Sequence, residues 1–109
     1  MRQVTFSYNW NNKLQNKSFT SLRLENNEKY VVGETYEILE NGIVIKRALL
    51  EGIRNIYLHD VNLFIARLDT GYNVEGCIKI IQTMYKNKNI DWAKQKISFL
   101  LFVTINENK

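Results

Sequence analysis

Val4, Phe6 and Tyr8 alternate with Gln3, Thr5 and Ser7, the two-residue period of a strand with one wet face. Trp10 to Asn16 breaks that period. Trp10 and Leu14 stand four residues apart with asparagines at both ends, which predicts a short turn or helix. Phe19 to Leu24 returns to an extended pattern. In Tyr30-Val31-Val32-Gly33-Glu34 a glycine marks a bend in an apolar approach, and Thr35 to Leu39 follows as an alternating strand. Asn41-Gly42 then predicts a type I′ hairpin, because both central positions of that turn need positive φ, and Ile43-Val44-Ile45 supplies the returning strand. Ala48 to Leu58 continues as strand, with Gly52 marking a bulge or a barrel corner.

Beyond this point the period changes. Asn62 to Leu68 reads as a short helix, and Asn73 is placed to cap a longer one in which Val74, Cys77, Ile78, Ile81 and Tyr85 share a single face. Ile97 to Ile105 is apolar on both alternations near Phe99 to Val103, which predicts a central strand covered on two sides. Asn106 to Lys109 reads as a loose tail. The pattern predicts an α+β fold: a small curled sheet or barrel of about five to six mostly antiparallel strands, with one or two flanking helices. With no repeat, linker or heptad pattern, residues 1–109 form one domain.

Composition narrows the chemistry. A hydrophobic content of 45% supplies a core, and disorder is excluded. Cys77 is the single cysteine and His59 the single histidine, so neither an internal disulfide nor a Cys/His zinc cluster can form, and no metal or cofactor is expected. The opening residues lack a signal-peptide core and the apolar runs are too short to span a bilayer, so the expectation is a cytoplasmic protein with no membrane partner. Abundant Asn, Lys and Ile without proline fit an AT-rich genome, such as that of a phage or a low-GC bacterium. The net charge of +4 favours phosphate-bearing partners, and Lys79, Lys86, Lys88, Lys94 and Lys96 face only Asp91 in their segment. The plainer account of those lysines is a solvated helix end and loop.

No Gly-rich phosphate loop or nucleophile elbow is present. Cys77 sits on the apolar helical face and reads as a core residue, and His59 beside Asp60 reads as a turn histidine. The informative stretch is Asn16-Lys17-Ser18-Phe19-Thr20-Ser21-Leu22-Arg23. On a strand, Lys17, Phe19, Ser21 and Arg23 share one face while Ser18, Thr20 and Leu22 share the other. A partly buried lysine can serve as base to a hydroxyl nucleophile, and an arginine nearby can hold a carboxylate, phosphate or carbonyl oxygen. The pattern by itself favours a plain polar edge strand.

Lys17 to Arg23, followed by Lys29-Tyr30-Val31-Val32-Gly33-Glu34-Thr35-Tyr36-Glu37-Ile38, resembles the ASCH domains of the PUA-like superfamily. Asp69-Thr70-Gly71-Tyr72-Asn73 opening the helix to Tyr85, and the apolar strand Ile97 to Val103, resemble the second half of that pattern. The resemblance implies a small PUA-like β-barrel with flanking helices. Its cleft would be lined by the lysine and arginine segment and by the acidic residue before the helix. By the same resemblance, Lys17 stands for the lysine, Thr20 for the nucleophilic threonine and Asp69 for the acidic residue of amidohydrolases that deacylate acylated cytidine. Three departures mark this chain. Arg23 follows Thr20 by three residues where the pattern has two, so that Ser21 is an alternative hydroxyl. Asp69 replaces a glutamate, with Thr70 as its alternative counterpart, and Asn16 stands in place of a glycine.

Three functions are carried forward. One is a module binding RNA or a nucleoside or nucleotide, with Arg23 and the rings of Tyr8, Trp10, Phe19, Tyr72 and Trp92 as ligand contacts. The second is a metal-independent amidohydrolase using Lys17, Thr20 or Ser21, and Asp69, with Arg23 orienting the substrate. The third is a protein-interaction module in which the cleft is vestigial.

Overall fold

The computed structural model describes residues 1–105. The expected tail at Asn106 to Lys109 lies outside the described residues. Five strands form a single sheet: β1 (Arg2–Phe6), β2 (Ser18–Leu24), β3 (Thr35–Glu40), β4 (Ile43–Tyr57) and β5 (Lys96–Thr104). Their spatial order is β1-β3-β4-β5-β2, and the sheet curls into a half-barrel compatible with a small PUA-like barrel. Two helices, α1 (Leu63–Thr70) and α2 (Val74–Met84), fill the crossover from β4 to β5. Among the described residues no helix is long and apolar enough to cross a membrane.

The local signals fall where the backbone needs them. Asn41 and Gly42 adopt φ of 52° and 81°, as a type I′ turn requires, and join β3 to β4. The strands expected at Ile43 to Ile45 and from Ala48 onward are one strand, and its pairing with β5 slips between Leu50 and Gly52. That bulge reverses the side-chain parity. Ala48 and Leu50 point into the half-barrel and so does Ile53, whereas Ile56 faces the helices. The first strand ends at Phe6, and Tyr8 lies beyond it with 59% of its surface exposed.

One pairing has no local signal. β1 runs parallel to β3, with Val4 opposite Ile38, while the other three pairings are antiparallel. β1 and β2 are therefore the two free edges of the curl, and a seam separates them.

Two cores lie on opposite sides of the sheet. The inner one gathers Val4, Phe6, Phe19, Tyr36, Leu50 and Phe102 inside the curl. The outer one packs Leu22, Leu58 and Ile97 against Ala66 of α1 and against Cys77 and Ile81 of α2, the helical face that the sequence pattern predicts. β5 is central and buried on both sides through Leu100, but Leu101 escapes the helical cover and is exposed. Cys77 is fully enclosed, and burial pushes its thiol up to about 11, which makes it an inert core side chain.

Asn62 caps α1 by accepting from the Ile65 amide at 2.9 Å, and Asn73 caps α2 by accepting from the Gly76 amide at 2.9 Å. Gly71 ends α1 in the left-handed region at φ 81°, its amide donating to the Ala66 and Arg67 carbonyls. A Cβ at Gly71 would also approach Asn11 Oδ1 to 2.9 Å, whereas one at Gly33, with φ 94°, would meet nothing within 4 Å. Gly71→Ala is expected to lower stability by about 2–3 kcal/mol and Gly33→Ala by about 1 kcal/mol, as read from urea unfolding. Equal losses at the two positions would refute the role given to the Asn11 contact.

Candidate functional site

The chain crosses the seam between β1 and β2 through a short 3₁₀ turn, Trp10–Gln15. Asn11 and Asn12 both sit in the left-handed region, at φ 57° and 53°, which asparagine tolerates better than most residues. The side chain of Asn11 donates to the Arg67 carbonyl at 3.1 Å, and Asn9 Oδ1 accepts from the Leu14 amide at 2.9 Å. The turn is thereby fixed to the end of α1, and it drives Lys13 inward.

Lys13 is 3% exposed. Its Nζ donates to the Asp69 backbone carbonyl at 2.8 Å and to Asp69 Oδ1 at 2.9 Å. Thr20 Oγ1, from the helix-facing side of β2, donates to the same Oδ1 at 2.8 Å. A single carboxylate oxygen thus ties the 3₁₀ turn, β2 and α1 together. Burial pushes the Lys13 ammonium below its ordinary pKa, and the Asp69 carboxylate offsets part of that fall.

Ser21 and Arg23 point to the opposite face of β2, into the seam. Arg23 Nε donates to Ser21 Oγ at 2.7 Å, and its guanidinium lies over the Phe6 ring at 4.6 Å. Among the described residues this is the guanidinium's one hydrogen bond, and no carboxylate lies within ion-pair distance of it. A cleft of about 50 Å³ runs along the seam, lined by Phe6, Lys13, Ser21, Arg23, Asp69 and Met84, among others. At its rim the rings of Tyr8 and Trp10 lie 4.5 Å apart, and those of Trp10 and Tyr72 meet edge to face at 5.8 Å.

The structure brings Thr20, Ser21, Arg23, Asp69, Trp10 and Tyr72 to this seam, but not Lys17. Lys17 is exposed just before β2 and lines a separate depression with Lys46 and Thr104. Four extended residues from Lys17 to Ser21 span about 13 Å, so the far end of the strand cannot present both to one cleft. The lysine at the carboxylate is Lys13. Phe19, expected among the ligand contacts, is buried in the inner core and stacked on Phe102 at 5.3 Å. Trp92 packs near Tyr85 under the loop between α2 and β5, and Thr70 donates within α1 to the Ala66 carbonyl at 2.8 Å. His59 is exposed beside Asp60. Lys13 and Phe6 are the site residues that sequence reasoning missed: Lys13 falls inside the predicted turn with nothing to give its direction, and Phe6 on the apolar face of the first strand.

Asp69→Asn would leave a buried ammonium without its counter-charge. The expected cost is about 3–5 kcal/mol in urea unfolding, with part recovered in the Lys13→Met/Asp69→Asn double variant. Native Lys13 gives up its proton below 10.5, so in the alkaline range up to that value the unfolded chain binds more protons and this group makes stability rise with pH. An alkaline slope unchanged by the double variant would assign it to other groups. No family model matches the chain, and no curated protein or solved structure matches it.

Proposed function

We propose that the protein is an ASCH-type, PUA-like domain that binds a nucleotide or single-stranded RNA at the seam between β1 and β2. The observation that carries this reading is Arg23, a half-buried cation with no acidic partner among the described residues, at the foot of an aromatic rim. A guanidinium left with unused donors recognises phosphate or carbonyl oxygens, and exposed rings stack on bases regardless of sequence. Tyr72, with 52% of its surface exposed, and Trp10 provide such rings, and the net charge of +4 favours approach of a polyanion. The expected result is quenching of Trp10 fluorescence by short single-stranded RNA at low salt, weakening as salt rises. Trp10→Ala and Arg23→Ala should each cost about 1–3 kcal/mol of binding. RNA that neither quenches the fluorescence nor is retarded in gels would exclude the reading.

The Lys13, Asp69 and Thr20 network favours a second reading, a metal-independent amidohydrolase acting on acylated cytidine. Lys13, with its pKa pushed down by burial, would be the base and Thr20 the nucleophile, with Asp69 relaying the proton. Against it stands the position of Thr20, whose hydroxyl is turned to Asp69 from behind the cleft lining. Release of cytidine by the protein, abolished in Thr20→Val, would establish this activity.

A further inference from the structure

The seam offers two spaces of unlike size and chemistry. The cleft holds about 50 Å³, far less than the roughly 300–1,000 Å³ of pockets that enclose a whole ligand. Ser7, Trp10, Ile80 and Met84 line it and also line a neighbouring open groove of about 460 Å³, which continues over Tyr72, Gly76 and Lys79. A ligand's bulk fits the groove, and only one edge of it fits the cleft.

The cleft lining is mixed in sign. Arg23 brings donors, and the Ser21 hydroxyl, already accepting from Arg23 Nε, has its hydrogen to give. Asp69 brings an acceptor: the bonds from Lys13 and Thr20 both fall on Oδ1, no hydrogen bond among the described residues falls on Oδ2, and since no fully buried side-chain oxygen there lacks a partner, Oδ2 keeps accessible surface on a residue that lines the cleft. A phosphate offers acceptors only, and it would leave the Asp69 acceptor, whose charge Lys13 already balances, without a donor to match it. A flat, neutral edge with an acceptor next to a donor satisfies both sides at once, and the hydrogen-bonding edges of nucleobases have that form.

The groove suits the rest of a nucleotide. A Cβ at Gly76 would come within 3.0 Å of the Tyr72 Cβ and Cδ2, so the bare backbone of α2 is what lets the Tyr72 ring lie along it. Trp10 stands against that ring, and Lys79 sits on α2 one turn beyond Gly76, exposed to solvent.

We propose that the site takes a nucleotide base first: the edge of the base enters the cleft between Arg23 and Asp69, the ring face lies against Trp10 and Tyr72, and the phosphate stays outside near Lys79. This rests on the nucleotide reading above and adds that the base, not the phosphate, is what the cleft recognises. The test follows Trp10 fluorescence in a Trp92→Phe background. The probes are guanosine, uridine, their 5′-monophosphates, ribose 5-phosphate and inorganic phosphate. A nucleoside should bind within about tenfold of its own nucleotide, since one exposed cation contact supplies little more. Ribose 5-phosphate and phosphate should neither quench nor compete. Lys79→Ala should remove the nucleotide's advantage over its nucleoside. Arg23→Ala should weaken both ligands equally, and Arg23→Lys, which keeps the charge but not the planar fork, should not restore them. Competition by ribose 5-phosphate or phosphate, with nucleosides inert, would overturn the base-first arrangement while preserving the nucleotide reading. Silence from every probe would overturn the base-first arrangement, and silence from short single-stranded RNA as well would overturn both.

Discussion

One carboxylate oxygen, Oδ1 of Asp69, is the point at which three parts of the chain are tied together. It receives Lys13 from the turn that bridges the seam and Thr20 from the edge strand β2, and it belongs to the last turn of α1. The balance of forces there is informative. Burial lowers the pKa of Lys13 while the Asp69 carboxylate opposes that fall, and the cost of taking a charge pair out of water offsets much of its attraction. Its contribution is to geometry. Only one arrangement of turn, strand and helix satisfies the ammonium, and that arrangement sets Trp10 at the rim and leaves Arg23 facing the seam. The asparagines in left-handed conformations are tolerable for the same reason, because the structure around them fixes the turn at both ends.

What the sequence discloses is what local geometry dictates. Asn41-Gly42 can hardly be anything but a hairpin, Gly52 marks the bulge that turns β4, and Val74, Cys77 and Ile81 declare a helical face. The parallel alignment of β1 with β3 leaves no mark, because Val4, Phe6, Tyr36 and Ile38 alternate identically whichever way their strands run. The site divides along the same line. Thr20, Ser21 and Arg23 are legible because the alternation of a strand fixes their faces, and Asp69 only through the resemblance to ASCH domains. Lys13 is not, since its inward direction is created by two backbone conformations and a tertiary bond from Asn11 to α1.

The seam also explains why a small domain has room for a ligand at all. A barrel closed by pairing β1 with β2 would fill its interior with side chains and present no cleft. Here the curl stops short, and the bridging turn with α2 covers the gap. The polar groups that collect there are those that neither core can accept. Arg23 sits at the boundary, its guanidinium over the Phe6 ring of the inner core and lining the opening.

The strand order fixes when this opening comes into being during synthesis. β2, which presents Ser21 and Arg23, gains its sheet partner only from β5, where Ser18 lies opposite Val103. β3 and β4 can form their hairpin as soon as they leave the ribosome, and α1 and α2 can follow from local contacts. The edge strand that gives the cleft its chemistry must wait, unpaired, for nearly the whole chain to appear. A nascent fragment that has folded everything up to α2 therefore contains every residue of the site while the strand that presents Ser21 and Arg23 still lacks its sheet partner.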